Sequence, residues 1–265
     1  GARDVVASAL RGRPALMHHH DLPWQRPQFA HGPPPPDDPA WLHVTINQMS
    51  RHQLAAHGIQ AVVVRNSFDT DAPPGDGEKV RREIGMSATE RLVLQPTRAI
   101  PRKNVAGGIA LAEELDATFW LPGPPEDGYG PELDRLVSRA SCPVVLDHAP
   151  GSDPSAMSDA YAACDLVALP STLEGFGNPA VESAVHRRPL AIGHYPVAAE
   201  LAAFGFRWFS YEEPDPIRRW LDEPDTELLE HNRLVARTHF SSSDLPRRLA
   251  RLIQSAGWVR FEDGP

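Results

Sequence analysis

Short apolar runs of strand length recur along the chain, and most are separated by longer stretches of helical pattern. They fall at residues 61–64, around Leu92, and at 117–121, 143–147, 166–169, 190–193 and 207–209, with earlier apolar stretches at Ala15-Leu-Met and Trp41-Leu-His43-Val-Thr. Helical patterns cover 79–84, 105–115 and a C-terminal segment with Leu245, Leu249, Leu252 and Ile253 as its apolar residues. Strands that alternate with helices in this way predict an α/β fold with a parallel, doubly wound sheet. No internal repeat is visible.

Proline-rich connections divide this pattern. Gly32-Pro-Pro-Pro-Pro-Asp-Asp-Pro39 interrupts an early αβ stretch, and Ala72-Pro-Pro-Gly-Asp-Gly77 separates the strand at 61–64 from everything that follows. The expected organisation is a partial N-terminal domain over 1–72, a larger C-terminal domain over 78–240 and a terminal helix within 241–265.

Composition narrows the function without naming it. The chain has 265 residues, of which 41% are hydrophobic and 23% charged, enough for one large or two small cores. A formal net charge of −9 argues against a general nucleic-acid binder. The one notable basic cluster, Arg247-Arg248-Leu-Ala-Arg251, lies in the C-terminal amphipathic segment, where it is either a solvated face or a peripheral contact with a membrane surface. No apolar run approaches the roughly 18 residues of a spanning helix. Cys142 and Cys164 lack metal or redox spacing, which fits reduced thiols and a cytoplasmic location.

The richest stretch is Ser171-Thr-Leu-Glu174-Gly175-Phe176-Gly177-Asn178-Pro179-Ala-Val-Glu182. It follows the apolar strand at 166–169 and opens a helix, with Asn178 as expected N-cap and Pro179 in the first turn. Gly175 and Gly177 let backbone amides approach an anion that a Cβ would block, and the helix N-terminus favours negative charge. Glu174 precedes the loop, whereas Glu182 lies about one turn into the helix and reaches a more distant part of a ligand.

Glu174 and Glu182, with seven residues between them that include Gly-Phe-Gly, resemble the E-x7-E motif of retaining glycosyltransferases, especially glycosyltransferase family 4. That resemblance implies a GT-B fold of two Rossmann-like domains with the motif in the C-terminal one. It also implies that Glu174 and the amides of Phe176 and Gly177 contact a donor sugar, and that Glu182 holds the ribose. Arg98-Ala-Ile-Pro-Arg102-Lys103, after the strand at Leu92, resembles the family's R-x4-K donor loop, with Arg98 and Lys103 as its two cations. Fixed cations beside a departing diphosphate stabilise the transition state more than the ground state. The loop Asp147-His148-Ala-Pro-Gly151 either covers the nucleotide base, as the equivalent loop does in the family, or is a plain connection. The expected donor is a nucleotide diphosphate sugar, with no cofactor and no metal; the acceptor is unspecified.

The N-terminal part implies less. About 70 residues precede the linker, roughly half of a Rossmann-like domain by ordinary domain sizes, so the sequence reads as lacking the start of that domain. In the family a His near a strand end faces the donor sugar, and His20, in the tract His18-His19-His20-Asp21, is the candidate here. The register within that tract is open because successive strand side chains face opposite ways. A structural role and a metal site are the competing readings, and the spacing matches no usual zinc pattern.

Two alternatives stand beside the transferase. Gly175-Phe-Gly177-Asn-Pro-Ala180 partly matches a dinucleotide fingerprint, as in an NAD(P)-binding oxidoreductase, although no acidic residue follows the next strand at Ile192-Gly193-His194. The other is a nucleotide-binding fragment without activity.

Overall fold

The computed structural model describes residues 2–25, 29–146 and 156–258. Its strands are β1 (Ala15–His19), β2 (Trp41–Thr45), β3 (Ala61–Val63), β4 (Leu92–Leu94), β5 (Thr118–Trp120), β6 (Val144–Val145), β7 (Leu166–Leu169), β8 (Leu190–Ile192) and β9 (Phe209–Ser210). The helices are α1 (Ala2–Leu10), α2 (Gln48–Ala56), α3 (Gly77–Glu83), α4 (Val105–Glu114), α5 (Gly130–Arg139), α6 (Ala156–Ala163), α7 (Asn178–Val185), α8 (Pro196–Ala202), α9 (Pro214–Asp222), α10 (Thr226–Phe240) and α11 (Leu245–Ser255). The chain divides into two units, Gly1–Ser67 with Ser241–Pro265, and Phe68–Phe240.

In the larger unit six parallel strands run in the order β6-β5-β4-β7-β8-β9. The first strand of this unit, β4, lies beside the fourth, β7, so the sheet is doubly wound and its order reverses between them. Strands β4, β5, β7 and β8 are buried on both faces, which is why each reads as a continuous apolar run rather than an alternating one. Phe119, Leu121 and Leu166 pack with Val105, Ile109 and Leu111 in one buried cluster, and each large side chain contributes about 1.5–3 kcal/mol by leaving water. Cys142 and Cys164 are free thiols, and burial pushes Cys164 up to about 12.

The smaller unit has a three-stranded parallel sheet in the order β1-β2-β3. Helix α11 belongs to it: Leu252, with Leu245 and Leu249 beside it, packs on Leu16, Leu42, Val44 and Val64. The apolar side of the C-terminal helix thus packs within its own unit, with Leu252 buried and Leu245 and Leu249 partly so. Among the described residues no helix is long and apolar enough to cross a membrane.

Candidate functional site

Two loops meet where the strand order of the large sheet reverses. The first leaves β4, makes a single 3-10 turn over Pro101–Lys103 and enters α4 through Asn104, whose φ of 49° is left-handed. The second leaves β7 and carries residues 170–177 into α7. They are laced together by the Thr172 amide, which donates to the Arg102 carbonyl at 2.9 Å, and by Asn104 Nδ2, which donates to the Pro170 carbonyl at 3.2 Å. From beneath, Gln95 Nε2 donates to the Lys103 carbonyl at 2.9 Å. The basic loop is therefore held by its backbone, so its side chains project from a fixed frame.

Glu174 is the centre of this frame and is only 4% exposed. Lys103 Nζ donates to its Oε1 at 2.5 Å, Ser171 Oγ donates to the same oxygen at 2.6 Å, and Arg102 Nη1 donates to Oε2 at 2.9 Å. Arg102 also donates to the Leu173 carbonyl at 2.9 Å. A carboxylate between two cations leaves one surplus positive charge at the carboxyl ends of β4 and β7. Burial pushes the Lys103 ammonium below the usual lysine range, and the Glu174 charge opposes that shift.

The resemblance named Arg98 and Lys103 as the two cations of a donor loop; in the structure a further cation, Arg102, joins Lys103 on Glu174. Arg98 is half exposed and pairs with Glu126. The reason is local: the tight turn at Pro101–Lys103 brings consecutive Arg102 and Lys103 onto Glu174, while Arg98 stands before the turn, where its next residue Ala99 is tied by its amide to the Pro124 carbonyl. Arg102 carried one signal in the sequence, its place in a dibasic pair just before a helix.

The glycine loop has a conformational requirement at Gly177. Its φ of +85° is left-handed, and a Cβ there would lie 2.9 Å from the Tyr195 hydroxyl. Gly177, not Asn178, is the N-cap of α7, with Asn178 and Pro179 in its first turn; this corrects the expected cap by one residue. The Phe176 side chain is buried and faces Phe68 and Phe240 at ring separations of 6.2 and 6.1 Å, so only its backbone is placed for a ligand. Behind the loop, the Tyr195 hydroxyl is buried with no hydrogen-bond partner among the described residues, and burial and then Glu174 push its pKa up.

Glu182 lies on α7 and accepts from the Tyr161 hydroxyl through Oε2 at 2.7 Å. Oε1 has no partner among the described residues. Burial raises the Glu182 carboxyl, and the bond from Tyr161 lowers it again in part. Tyr161 in turn stacks on His186 at 4.9 Å, and burial brings that imidazole down to about 4.

In the smaller unit the histidine tract separates by face. Met17 pairs with His43 and His19 with Thr45, so His19 and His43 share one face of the sheet. His19 Nε2 lies 2.8 Å from His43 Nδ1. His18 and His20 fall on the other side, with ring centroids 4.4 Å apart, and His20 is exposed. The tract cannot converge on one ion, and among the described residues no group of three His, Cys, Asp or Glu side chains is arranged to hold a metal. His148 lies outside the described residues.

No family model matches the chain. It is 27% identical to mannosylglucosylglycerate synthase of Thermotoga maritima over an alignment 294 positions long, which covers 89% of this chain and 69% of that protein. It is also 27% identical over 215 residues to D-inositol 3-phosphate glycosyltransferase of Mycobacterium tuberculosis, covering 73% of this chain but 44% of the relative. Among solved structures, HepE from Anabaena in complex with UDP and glucose aligns with a TM-score of 0.80 at 22% identity, over 96% of this chain and 76% of its own. Sucrose-phosphate synthase of Thermosynechococcus elongatus aligns with a TM-score of 0.76 at 14% identity, over 95% and 70%. At such identities the structures establish the fold, and the sequence relatives are sugar-transferring enzymes. The oxidoreductase reading gains nothing from either. The chain thus has a fold of GT-B type, and the sequence relatives it matches are glycosyltransferases.

Proposed function

We propose that this chain moves a sugar from a nucleoside diphosphate sugar to an acceptor hydroxyl with retention at the anomeric carbon. The observation that carries the proposal is the buried Glu174 clasped by Lys103 and Arg102 at the strand-order reversal, beside a glycine loop that opens α7. Open α/β sheets bind ligands outside the carboxyl ends of their strands at such a reversal. HepE was solved with UDP-glucose, which supports a nucleotide sugar as the class of donor here.

In this reading the diphosphate lies against the α7 N-terminus, and Lys103 and Arg102 balance the charge it gains. Glu174 holds both cations in place and meets a sugar hydroxyl, while Glu182 Oε1 accepts from the ribose. The glycosidic C1–O bond to the β-phosphate breaks as the bond to the acceptor oxygen forms, and the departing phosphate oxygen takes the acceptor proton. The protein contributes positioning and electrostatics rather than a covalent intermediate. With two cations in this role, activity is expected to survive chelation of divalent metal, and no cofactor beyond the donor is assigned. The free thiols suit a reducing compartment such as the cytoplasm.

The test is the stereochemistry of transfer. The chain is incubated with a panel of nucleotide sugars and candidate acceptors, and the anomeric proton of the product is read by NMR. Retention of the donor's configuration is expected. An inverted product would overturn the proposal.

A further inference from the structure

Tyr161 and Glu182 come from the two helices on either side of β7 in sequence: Tyr161 lies on α6, which leads into that strand, and Glu182 on α7, which follows it. The tyrosine is wholly buried, whereas Glu182 is partly exposed. The last turn of α6 is held from outside at three successive carbonyls, a place where a helix leaves its acceptors unsatisfied. Cys164 Sγ donates to the Tyr161 carbonyl at 3.3 Å, Arg188 Nη2 to that of Ala162 at 2.6 Å and Arg81 Nε to that of Ala163 at 2.8 Å. Arg188 follows α7, and its amide donates to the Ser183 carbonyl at 2.7 Å, so one residue ties the ends of both helices together. The Tyr161 ring lies within 11° of parallel to that of His186, at the end of α7.

A glutamate on a helix has several freely turning bonds, and ordering them on ligand binding costs affinity. Here the cost is met before any ligand arrives, because the Tyr161 hydroxyl donates to Glu182 Oε2 at 2.7 Å and fixes the carboxyl group from inside the unit. Burial, then Glu182, hold the phenol well above its usual range, so the hydroxyl keeps its proton. Oε1 alone is left without a partner among the described residues. We propose that Tyr161 is a positioning residue for the donor: it holds Glu182 so that Oε1 accepts from a ribose hydroxyl, and it thereby sets a preference for ribonucleotides over deoxyribonucleotides. A site built to pair with a hydroxyl rejects the analogue that lacks it, since its own polar group is then left unpaired. The ligand rests on the transferase reading; the dependence of its recognition on Tyr161 is the new element.

The test compares UDP, GDP and ADP with their 2′-deoxy and 3′-deoxy forms by calorimetric titration of the full chain. Tyr161→Phe removes the hydroxyl and keeps the ring beside His186, and Tyr161→Phe with Glu182→Ala removes both partners, so that neither is left unpaired in the fold. The wild type is expected to bind its preferred diphosphate about tenfold or more tighter than one of the deoxy forms. In Tyr161→Phe the ratio should fall to about threefold or less, through weaker binding of the ribonucleotide while the deoxy form binds as before. Glu182→Ala should abolish the ratio, and the double variant should match it. An unchanged ratio in Tyr161→Phe would overturn the proposal, as would an equal loss of affinity for ribo and deoxy forms, which a merely structural tyrosine would give. A wild type that binds a diphosphate without regard to its ribose would overturn it too and leave the nucleotide-sugar reading standing. Failure of all three diphosphates to bind would overturn both.

Discussion

Lys103 Nζ and Glu174 Oε1 stand 2.5 Å apart although 71 positions separate them in the chain, and neither residue is more than 8% exposed. Two strands adjacent in the sheet but not in sequence bring them together, and the backbone bond from Thr172 to Arg102 sets the loops in register. Such a pair makes a weak net contribution compared with a well-packed apolar pair, yet removal of one partner leaves a buried charge uncompensated.

A double-mutant cycle on this pair should therefore be strongly non-additive. Lys103→Met or Glu174→Gln alone is expected to cost about 3 kcal/mol of stability, with Arg102 moderating the loss of Lys103, and the double variant should cost much less than the sum. Urea unfolding gives the four values. Additive losses would mean that the contact is incidental.

Gly177→Ala should destabilise the larger unit by about 1–2 kcal/mol, because a side chain there meets both a left-handed backbone and the Tyr195 hydroxyl. Adding Tyr195→Phe removes the second cause and not the first. Recovery should be partial, and full recovery would show that the backbone tolerates alanine.

Tyr195→Phe alone should be neutral or stabilising by up to about 1 kcal/mol, since its buried hydroxyl has no partner among the described residues. A rise or no change in melting temperature is expected. A large drop would mean that the hydroxyl makes a stabilising interaction after all.

Acid should weaken the fold through two histidines. His19 and His186 are held near 4 in the folded chain, while the unfolded chain binds their protons near the ordinary 6.5. Between those values the unfolded state carries more protons, so stability falls as pH drops from about 6.5 to 4. Glu182 acts in the opposite sense: its raised carboxyl makes the folded state the better proton binder, so its contribution falls as pH rises through the window above 4.5. Replacement of His186 by Gln should flatten the acid side of a melting-temperature profile, and an unchanged slope would contradict the assignment.

Much of this site was legible because its signals are local in sequence. The E-x7-E spacing, the two glycines and the strand before them lie within one strand-loop-helix unit, and residues 166–169 form β7 with no change of bounds. What was not legible depends on the path of a loop or on a distant partner. Arg102 and Arg98 are both cations in one segment, and only the turn at Pro101–Lys103 decides which one meets Glu174. Asp37 follows four prolines whose course has no periodicity, so nothing in the sequence delivers it to His43. An amphipathic pattern showed that α11 has an apolar face, but not that β1, β2 and the segment after β3 would cover it.

If Lys103 and Glu182 flank a nucleoside diphosphate, nucleotide binding must depend on both side chains. The chain and its Lys103→Met and Glu182→Gln variants, each checked for intact secondary structure, are titrated with UDP, GDP and ADP while thermal unfolding is followed. A ligand at about 100 times its dissociation constant adds roughly 2.7 kcal/mol to stability. One diphosphate is expected to stabilise the chain, and either substitution to weaken its binding by about tenfold or more, about 1.4 kcal/mol. Stabilisation by none of the three, or by one that binds both variants as tightly as the wild type, would contradict it.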